Sequence, residues 1–179
     1  NYIQKKFSEF AGGAKVSFDN ATFLSERETA DRNFALAHYM KENNVFPEES
    51  KLDETLDLYF QSCSIMVNAE KLSVMASTLA NGGTCPTTDK RVSSPHTVKN
   101  ILQLAYSCGM YDFSGEWSVS VGLPAKSGVS GALAVVVPGV MGLSVFSPRL
   151  DKRGNTVRGV DFCIRANKIY KWAIFDRLV

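Results

Sequence analysis

The stretch Ala132-Leu133-Ala134-Val135-Val136-Val137-Pro138-Gly139-Val140-Met141-Gly142-Leu143-Ser144-Val145-Phe146 decides the fold class. Ala132 to Val137 is a nearly continuous apolar run, six residues long and rich in β-branched side chains, as in a strand covered on both faces. Pro138-Gly139 is a turn signal, and Met141 to Phe146 resumes a strand-like run. Upstream, Trp117, Val119 and Val121 alternate with Ser118, Ser120 and Gly122, a period that predicts a half-exposed strand. Three neighbouring strands joined by short connections imply antiparallel pairing.

The flanking sequence is helical in period. Tyr2, Ile3, Phe7 and Phe10 form an amphipathic stripe closed by Gly12-Gly13, so the chain reads as beginning inside a domain. After an irregular apolar segment from Phe18 to Phe23, Ser25 and Glu28 have capping-box spacing and open a helix burying Phe34, Ala37 and Met40. One helix through Glu26 and Asn33 places both on one face after two turns. Ser50 and Asp53 open a second helix with Leu52, Leu56, Tyr59 and Cys63 along one side. Asn68 caps a helix carrying Leu72, Met75, Ala76 and Leu79, which stops at Gly82-Gly83. Ser94-Pro95 starts another, whose apolar face is Val98, Ile101, Leu102 and Ala105. A last helix over Asp161 to Phe175 lays Phe162, Arg165, Ile169 and Trp172 against the sheet. Helices, a hairpin sheet and a final helix give an α+β class.

Composition limits the chemistry. The 179 residues carry a net charge of +2, with −4 in residues 1–90 and +6 in residues 91–179. The second excess gathers in Arg149, Lys152, Arg153 and Arg158, which reads either as an anion-attracting cluster or as a solvated loop. No basic run is interleaved with aromatics, so nucleic acid is not implied as a partner. No apolar stretch is long enough to span a bilayer, so membrane insertion is not expected. Cys63, Cys85, Cys108 and Cys163 are far apart, with no CxxC pair and no histidine at zinc-like spacing, which fits reduced thiols in an intracellular compartment. Two histidines, His38 and His96, leave almost nothing for a Ser-His-Asp triad. No GxGxxG and no P-loop pattern occurs.

Three local features carry chemistry. Lys126-Ser127-Gly128 at a strand start sets a cation, a hydroxyl and close backbone N–H groups side by side, the equipment for holding an acyl group, or else forms an ordinary turn. Tyr111, in Cys108-Gly109-Met110-Tyr111-Asp112-Phe113-Ser114-Gly115, reads as a phenol at a pocket rim or as an aromatic plug. Glu26 and Asn33 read as an anion and an amide for a zwitterion or as a solvated helix face.

Together these stretches resemble the serine-dependent glutaminase family, of the animal mitochondrial type. The resemblance includes Ser17-Phe18-Asp19-Asn20-Ala21-Thr22-Phe23, Ser25-Glu26-Arg27-Glu28, Asp31-Arg32-Asn33, Leu79-Ala80-Asn81-Gly82-Gly83, the Cys108–Gly115 segment and Gly122-Leu123-Pro124-Ala125-Lys126-Ser127-Gly128-Val129. It covers essentially all of residues 1–179 as the later, C-terminal portion of a catalytic domain. It implies a β-lactamase/transpeptidase-like fold and metal-free, cofactor-free hydrolysis of L-glutamine to L-glutamate and ammonia through a serine acyl-enzyme. By the same resemblance Glu26 receives the substrate ammonium, and Asn33 and Tyr59 fix the amino-acid end. Tyr111 takes part in proton transfer, Lys126 is the lysine of the strand motif, and the Val129 N–H donates to the oxyanion. Phosphate as an activator, a homotetramer and mitochondrial residence, with the cytoplasm as the alternative, come from the resemblance too.

One departure is clear. The family's nucleophile lies in a Ser-x-x-Lys segment, and no lysine here has a serine three positions before it. The upstream, nucleophile-bearing part of the domain is therefore expected elsewhere. The alternative is a noncatalytic glutaminase-like oligomerisation or interaction module.

Overall fold

The computed structural model describes residues 2–176. The chain divides into two compact units, residues 2–5 with 15–67, and residues 6–14 with 68–176. The first helix, α1, is Tyr2–Phe10. Its expected apolar stripe is incomplete, because Tyr2 is exposed.

In the first unit, β1 (Ser17–Phe18) pairs antiparallel with β2 (Ile65–Met66), enclosing α2 (Asn20–Glu28), α3 (Asp31–Glu42) and α4 (Leu52–Cys63) in the sequence between them. The segment after Phe18, expected to be irregular, is thus already helical. Asp19 caps α2, accepting the Ala21 N–H at 3.1 Å and the Thr22 hydroxyl at 2.6 Å. Ser25 therefore lies inside the helix and caps nothing.

The continuous helix expected through Glu26 and Asn33 breaks at Thr29-Ala30. Thr29 donates both its N–H, at 3.1 Å, and its hydroxyl, at 2.9 Å, to the Ser25 carbonyl. Such a local side-chain bond competes with helix propagation. The break sends Ala30 into a core with Ala37, Leu56 and Phe60, joined by Phe23, Phe34, Phe46 and Leu52. Met40, expected in this core, is exposed, as are Tyr59 and Cys63 on α4. The α4 stripe runs through Leu56 and Phe60 instead, four residues apart. Lys51 precedes α4 without a side-chain cap, so the Ser50–Asp53 box does not form.

The second unit is a three-stranded antiparallel sheet between helices. The elements are α5 (Ala69–Ala80), α6 (Pro95–Cys108), a 3₁₀ turn at Tyr111–Phe113, α7 (Ser114–Ser120), β3 (Ala125–Ser127), β4 (Ala132–Val137), β5 (Met141–Phe146) and α8 (Val157–Tyr170). The sheet order is β3-β4-β5, with Lys126 opposite Ala134 and Val136 opposite Gly142. Asn68 caps α5 through the Lys71 N–H at 2.9 Å, and Ser94 caps α6 through the Thr97 N–H at 3.1 Å, both as expected.

Alternate residues of β4 divide the core. Val136 packs with Ala76, Leu79, Ala80 and Leu102 on the α5 side. Leu133, Val135 and Val137 face the other way, toward Trp117, Val121, Leu123 and Cys163. Gly142 lets the sheet meet α5: a Cβ there would stand 2.0 Å from the Ser77 nitrogen.

The expected strand at Trp117–Val121 is helical. Trp117 is 0% exposed and Val119 is 90% exposed, while Ser114 and Val121 are buried with Trp117. Burial at 114, 117 and 121 follows the helical period, and a strand would have buried 119 as well. The Trp117 indole N–H donates to the Leu123 carbonyl at 2.7 Å. The third strand is β3, whose three residues are too few for a readable period.

α8 begins four residues before its expected start, capped by Thr156, whose hydroxyl accepts the Gly159 N–H at 3.2 Å. Its buried face is Gly159, Cys163 and Ala166, and the expected Phe162 and Ile169 are exposed. The helix ends at Tyr170 because Asn167 Oδ1 takes the N–H groups of Trp172 and Ala173 at 3.0 and 2.9 Å. Among the described residues no helix is long and apolar enough to cross a membrane.

Candidate active site

The six residues singled out by sequence fall three to a unit. Glu26 on α2 and Asn33 on α3 are half-buried, and Tyr59 on α4 is exposed. The three helices are held by the Phe60 core and by the Arg27–Asp57 ion pair at 3.0 Å. Tyr59 sets its ring edge-on to that of Phe60, with centroids 5.7 Å apart.

In the second unit Tyr111 and Lys126 meet. The Lys126 Nζ lies 4.5 Å from the centroid of the Tyr111 ring, and the Tyr111 hydroxyl donates to the Ser127 carbonyl at 3.3 Å. Lys126 Nζ also donates to that carbonyl. A cation over an aromatic face is held by the ring quadrupole. Tyr111 is 40% exposed, so the pair stands at the surface.

The backbone explains the placement. Lys126 is the outward residue of β3, between buried Ala125 and Ser127. The Ser127 N–H is taken by the Gly109 carbonyl at 3.0 Å. Gly109 admits only a bare Cα, since a Cβ there would lie 1.7 Å from the Ala125 carbonyl oxygen. This close approach ties the Tyr111 turn to β3. The Ser127 hydroxyl is buried and has no hydrogen-bond partner among the described residues.

Val129 sits in the β3–β4 turn, 66% exposed. The turn is closed around it, with Gly128 N–H to Ala132 O at 2.9 Å and Gly131 N–H to Gly128 O at 3.0 Å. Among the described residues the Val129 N–H has no hydrogen-bond acceptor.

Within the basic cluster, Arg153 has partners of its own. Arg153 pairs with Glu116 at 2.8 Å and lies 5.3 Å from the Phe113 ring centroid. The hydrogen bond and charge of Glu116 raise the Arg153 pKa, and Arg153 in turn lowers that of Glu116. Sequence reading missed Ser114 and Asn155, which hydrogen-bond to the Tyr111 turn. Gly154-Asn155 resembles an ordinary turn, and a contact across 45 residues leaves no periodic signal. Among the described residues no group of three or more His, Cys, Asp or Glu side chains is placed to hold a metal ion.

A family profile described as Glutaminase matches residues 1–175. The mitochondrial liver isoform of glutaminase of Mus musculus is 49% identical over 178 residues, 99% of this chain and 30% of the relative. The glutaminase of the cyanobacterium Trichormus variabilis is 48% identical over 163 residues, 91% of this chain and 48% of the relative. A crystal structure of Mglu in its glutamate form superposes with a TM-score of 0.87 at 37% identity, covering 95% of this chain and 38% of that one. The chain thus spans less than half the length of these relatives, and its α+β fold is shared with the solved Mglu structures. A profile match over nearly all the residues, together with identity near one half, makes this chain a member of the glutaminase family.

Proposed function

We propose that the protein carrying this chain hydrolyses L-glutamine to L-glutamate and ammonia, and that residues 1–179 form the later portion of its catalytic domain. The carrying observation is the Tyr111–Lys126 pair beside the turn that presents the Val129 N–H.

The geometry supports distinct roles. An unengaged N–H on a closed turn with an exposed residue is suited to receive the charge that develops on the γ-amide oxygen. A phenol with a cation on its ring face is suited to proton transfer at the reacting amide or its leaving group. Lys126 contributes charge and fixes the ring. In the first unit, Glu26 receives the substrate ammonium, while Asn33 and Tyr59 bind the amino-acid end. A carboxylate left unpaired disfavours molecules without an ammonium, so the set selects an amino-acid amide. The serine nucleophile and its lysine come from outside these residues, since Ser-x-x-Lys does not occur here. The Mus musculus relative is described as mitochondrial, and we assign the same compartment, a homotetrameric state and activation by phosphate to the parent protein as expectations from kinship.

The test is ammonia release coupled to glutamate formation by the full-length protein, with and without chelator and across phosphate concentrations. Turnover that survives chelation upholds the reading. A folded full-length protein without turnover at any phosphate concentration overturns it, in favour of a noncatalytic association module.

A further inference from the structure

Tyr111 holds its side chain on a backbone of φ 53°, the left-handed region. An aromatic residue stays there only where its surroundings hold it. Both peptides flanking the Tyr111 Cα are gripped. The Ser114 hydroxyl donates to the Tyr111 carbonyl at 2.7 Å and accepts the Met110 N–H at 3.0 Å. The Met110 carbonyl, in the peptide plane that carries the Tyr111 N–H, accepts a hydrogen bond from Asn155 Nδ2 at 3.2 Å.

Asn155 is an unusual choice for this place. It is 0% exposed, and its Oδ1 is buried with no hydrogen-bond partner among the described residues. An orphaned buried amide oxygen is costly and calls for a reason. The Nδ2 bond to Met110 supplies one, because no apolar side chain could make it. The residue is itself fixed: Asp151 Oδ1 accepts the N–H groups of Arg153 and Asn155 at 2.8 and 3.0 Å, and the Asp151 N–H donates to the Asn155 carbonyl at 2.8 Å. Its neighbours face the same segment. A Cβ on Gly154 would lie 3.6 Å from Tyr111 Cε2, at ordinary contact distance, so this backbone passes near the ring without being pressed against it. Arg153 reaches Glu116 and Phe113. Arg153 and Asn155 thus brace the segment around Tyr111, through an ion pair with a ring contact and through a buried amide.

We infer that Asn155 is a positioning residue for Tyr111 in the glutaminase reaction, acting through its Nδ2–H bond to the Met110 carbonyl. The inference rests on the proposed role of the Tyr111 phenol. Asn155 touches no reacting atom; it sets the peptide from which the phenol is aimed. Small errors in such aim are expressed in kcat more than in KM.

The experiment uses the full-length protein. Asn155→Ala removes the amide without adding charge, and Asn155→Asp keeps the shape while replacing the donor with an acceptor. Each is expected to lower kcat at least tenfold with KM within about twofold. In a Tyr111→Phe background the same substitutions should change kcat less than twofold, because the phenol to be positioned is gone. An equal loss in both backgrounds overturns the inference. A separate readout is the Tyr111 Cζ resonance in protein labelled with ¹³C-tyrosine, assigned by its disappearance in Tyr111→Phe. If Tyr111→Phe leaves kcat unchanged, the catalytic reading of Tyr111 fails by itself. The resonance then decides alone: displacement in the Asn155 variants upholds positioning, and an unmoved resonance overturns it. Loss of the fold in both variants overturns a role confined to Tyr111.

Discussion

The Lys126 ammonium faces the Tyr111 ring at 4.5 Å, while the Tyr111 hydroxyl reaches past it to the Ser127 carbonyl at 3.3 Å. Ring and hydroxyl therefore have separate partners. Tyr111→Phe keeps the surface under the cation and deletes only the group that can carry a proton. In the full-length protein, kcat should fall by a factor on the order of 10² to 10⁴, with a smaller change in KM. Steady-state kinetics at fixed phosphate check this, and a variant within threefold of wild type in kcat removes the phenol from the chemistry.

Under the proposed function Glu26 belongs to substrate capture. Glu26→Gln preserves size and hydrogen bonding but cancels the charge opposite the substrate ammonium. The expected outcome is a rise in KM of about 10- to 100-fold, the scale for losing one member of a desolvated charge pair, with kcat changed less. Isothermal binding of glutamine to a slow variant gives the same comparison without turnover. Unchanged binding would move the ammonium site elsewhere.

Which parts of this architecture were legible depended on how local their cause is. Asn68 and Ser94 were readable as caps because the bond closes within three residues. The apolar run of β4 was readable because both its faces are covered within one unit. Trp117–Val121 was misread because its serines mimic strand alternation, while the deciding fact, Val119 pointing to solvent, is tertiary. The break at Thr29 was hidden because a threonine hydroxyl bonding back to Ser25 looks no different in sequence from one facing water. At the candidate site, Tyr111, Lys126 and Val129 stood out through motif resemblance. Asn155 did not, since its partner Met110 is distant in sequence and contributes only a backbone carbonyl.

Gly142 and Gly139 separate two reasons for glycine. Gly142 has no left-handed backbone, but an added Cβ meets the Ser77 nitrogen at 2.0 Å and the Ala76 carbonyl carbon at 2.3 Å. Neither neighbour is a flexible side-chain end, so Gly142→Ala must push α5 off β5, at a cost of about 3 kcal/mol or more. Gly139 has φ 73° and open space around it, so Gly139→Ala should cost only about 1 kcal/mol of backbone strain. Urea unfolding of both variants measures the contrast, and equal losses contradict the close approach of α5.

The two buried thiols should titrate in opposite directions. At Cys85 burial pushes the pKa up, but hydrogen bonds from Thr87, Thr88 and Thr78 outweigh it and lower the value from 9.0 to about 7. At Cys163 burial acts alone and raises it to about 12. A lowered folded value means that the unfolded chain binds more protons between about pH 7 and pH 9, so the Cys85 contribution grows with pH through that window. Cys163 does the reverse: its contribution is present below pH 9 and lost as pH rises toward 12. Urea unfolding of wild type, Cys85→Ala and Cys163→Ala between pH 6.5 and 10 should show wild type gaining on the first variant and, above pH 9, losing ground to the second. Parallel pH profiles for all three proteins would remove both assignments.

The last prediction concerns the 179 residues by themselves. Under the proposed function Glu26, Asn33 and Tyr59 offer recognition, and Tyr111, Lys126 and the Val129 N–H offer proton transfer and charge stabilisation. None of them is a nucleophile paired with a base, which an acyl-enzyme route requires. The Ser127 hydroxyl follows a lysine directly, but it is buried within the sheet unit and cannot meet an amide carbon. The purified chain should therefore release no ammonia above background from glutamine, and intact mass should show no glutamyl adduct. Residual electrostatic stabilisation without a nucleophile leaves at most a slow water attack, several orders of magnitude below a working enzyme. Adding a segment that bears Ser-x-x-Lys, fused or as a separate chain, should restore turnover. The restored activity should vanish on replacing that serine with alanine and fall sharply with Tyr111→Phe in this chain. Robust turnover by the chain alone would mean that a nucleophile is present among these residues, and the assignment of every other role would have to be reopened from that residue outward.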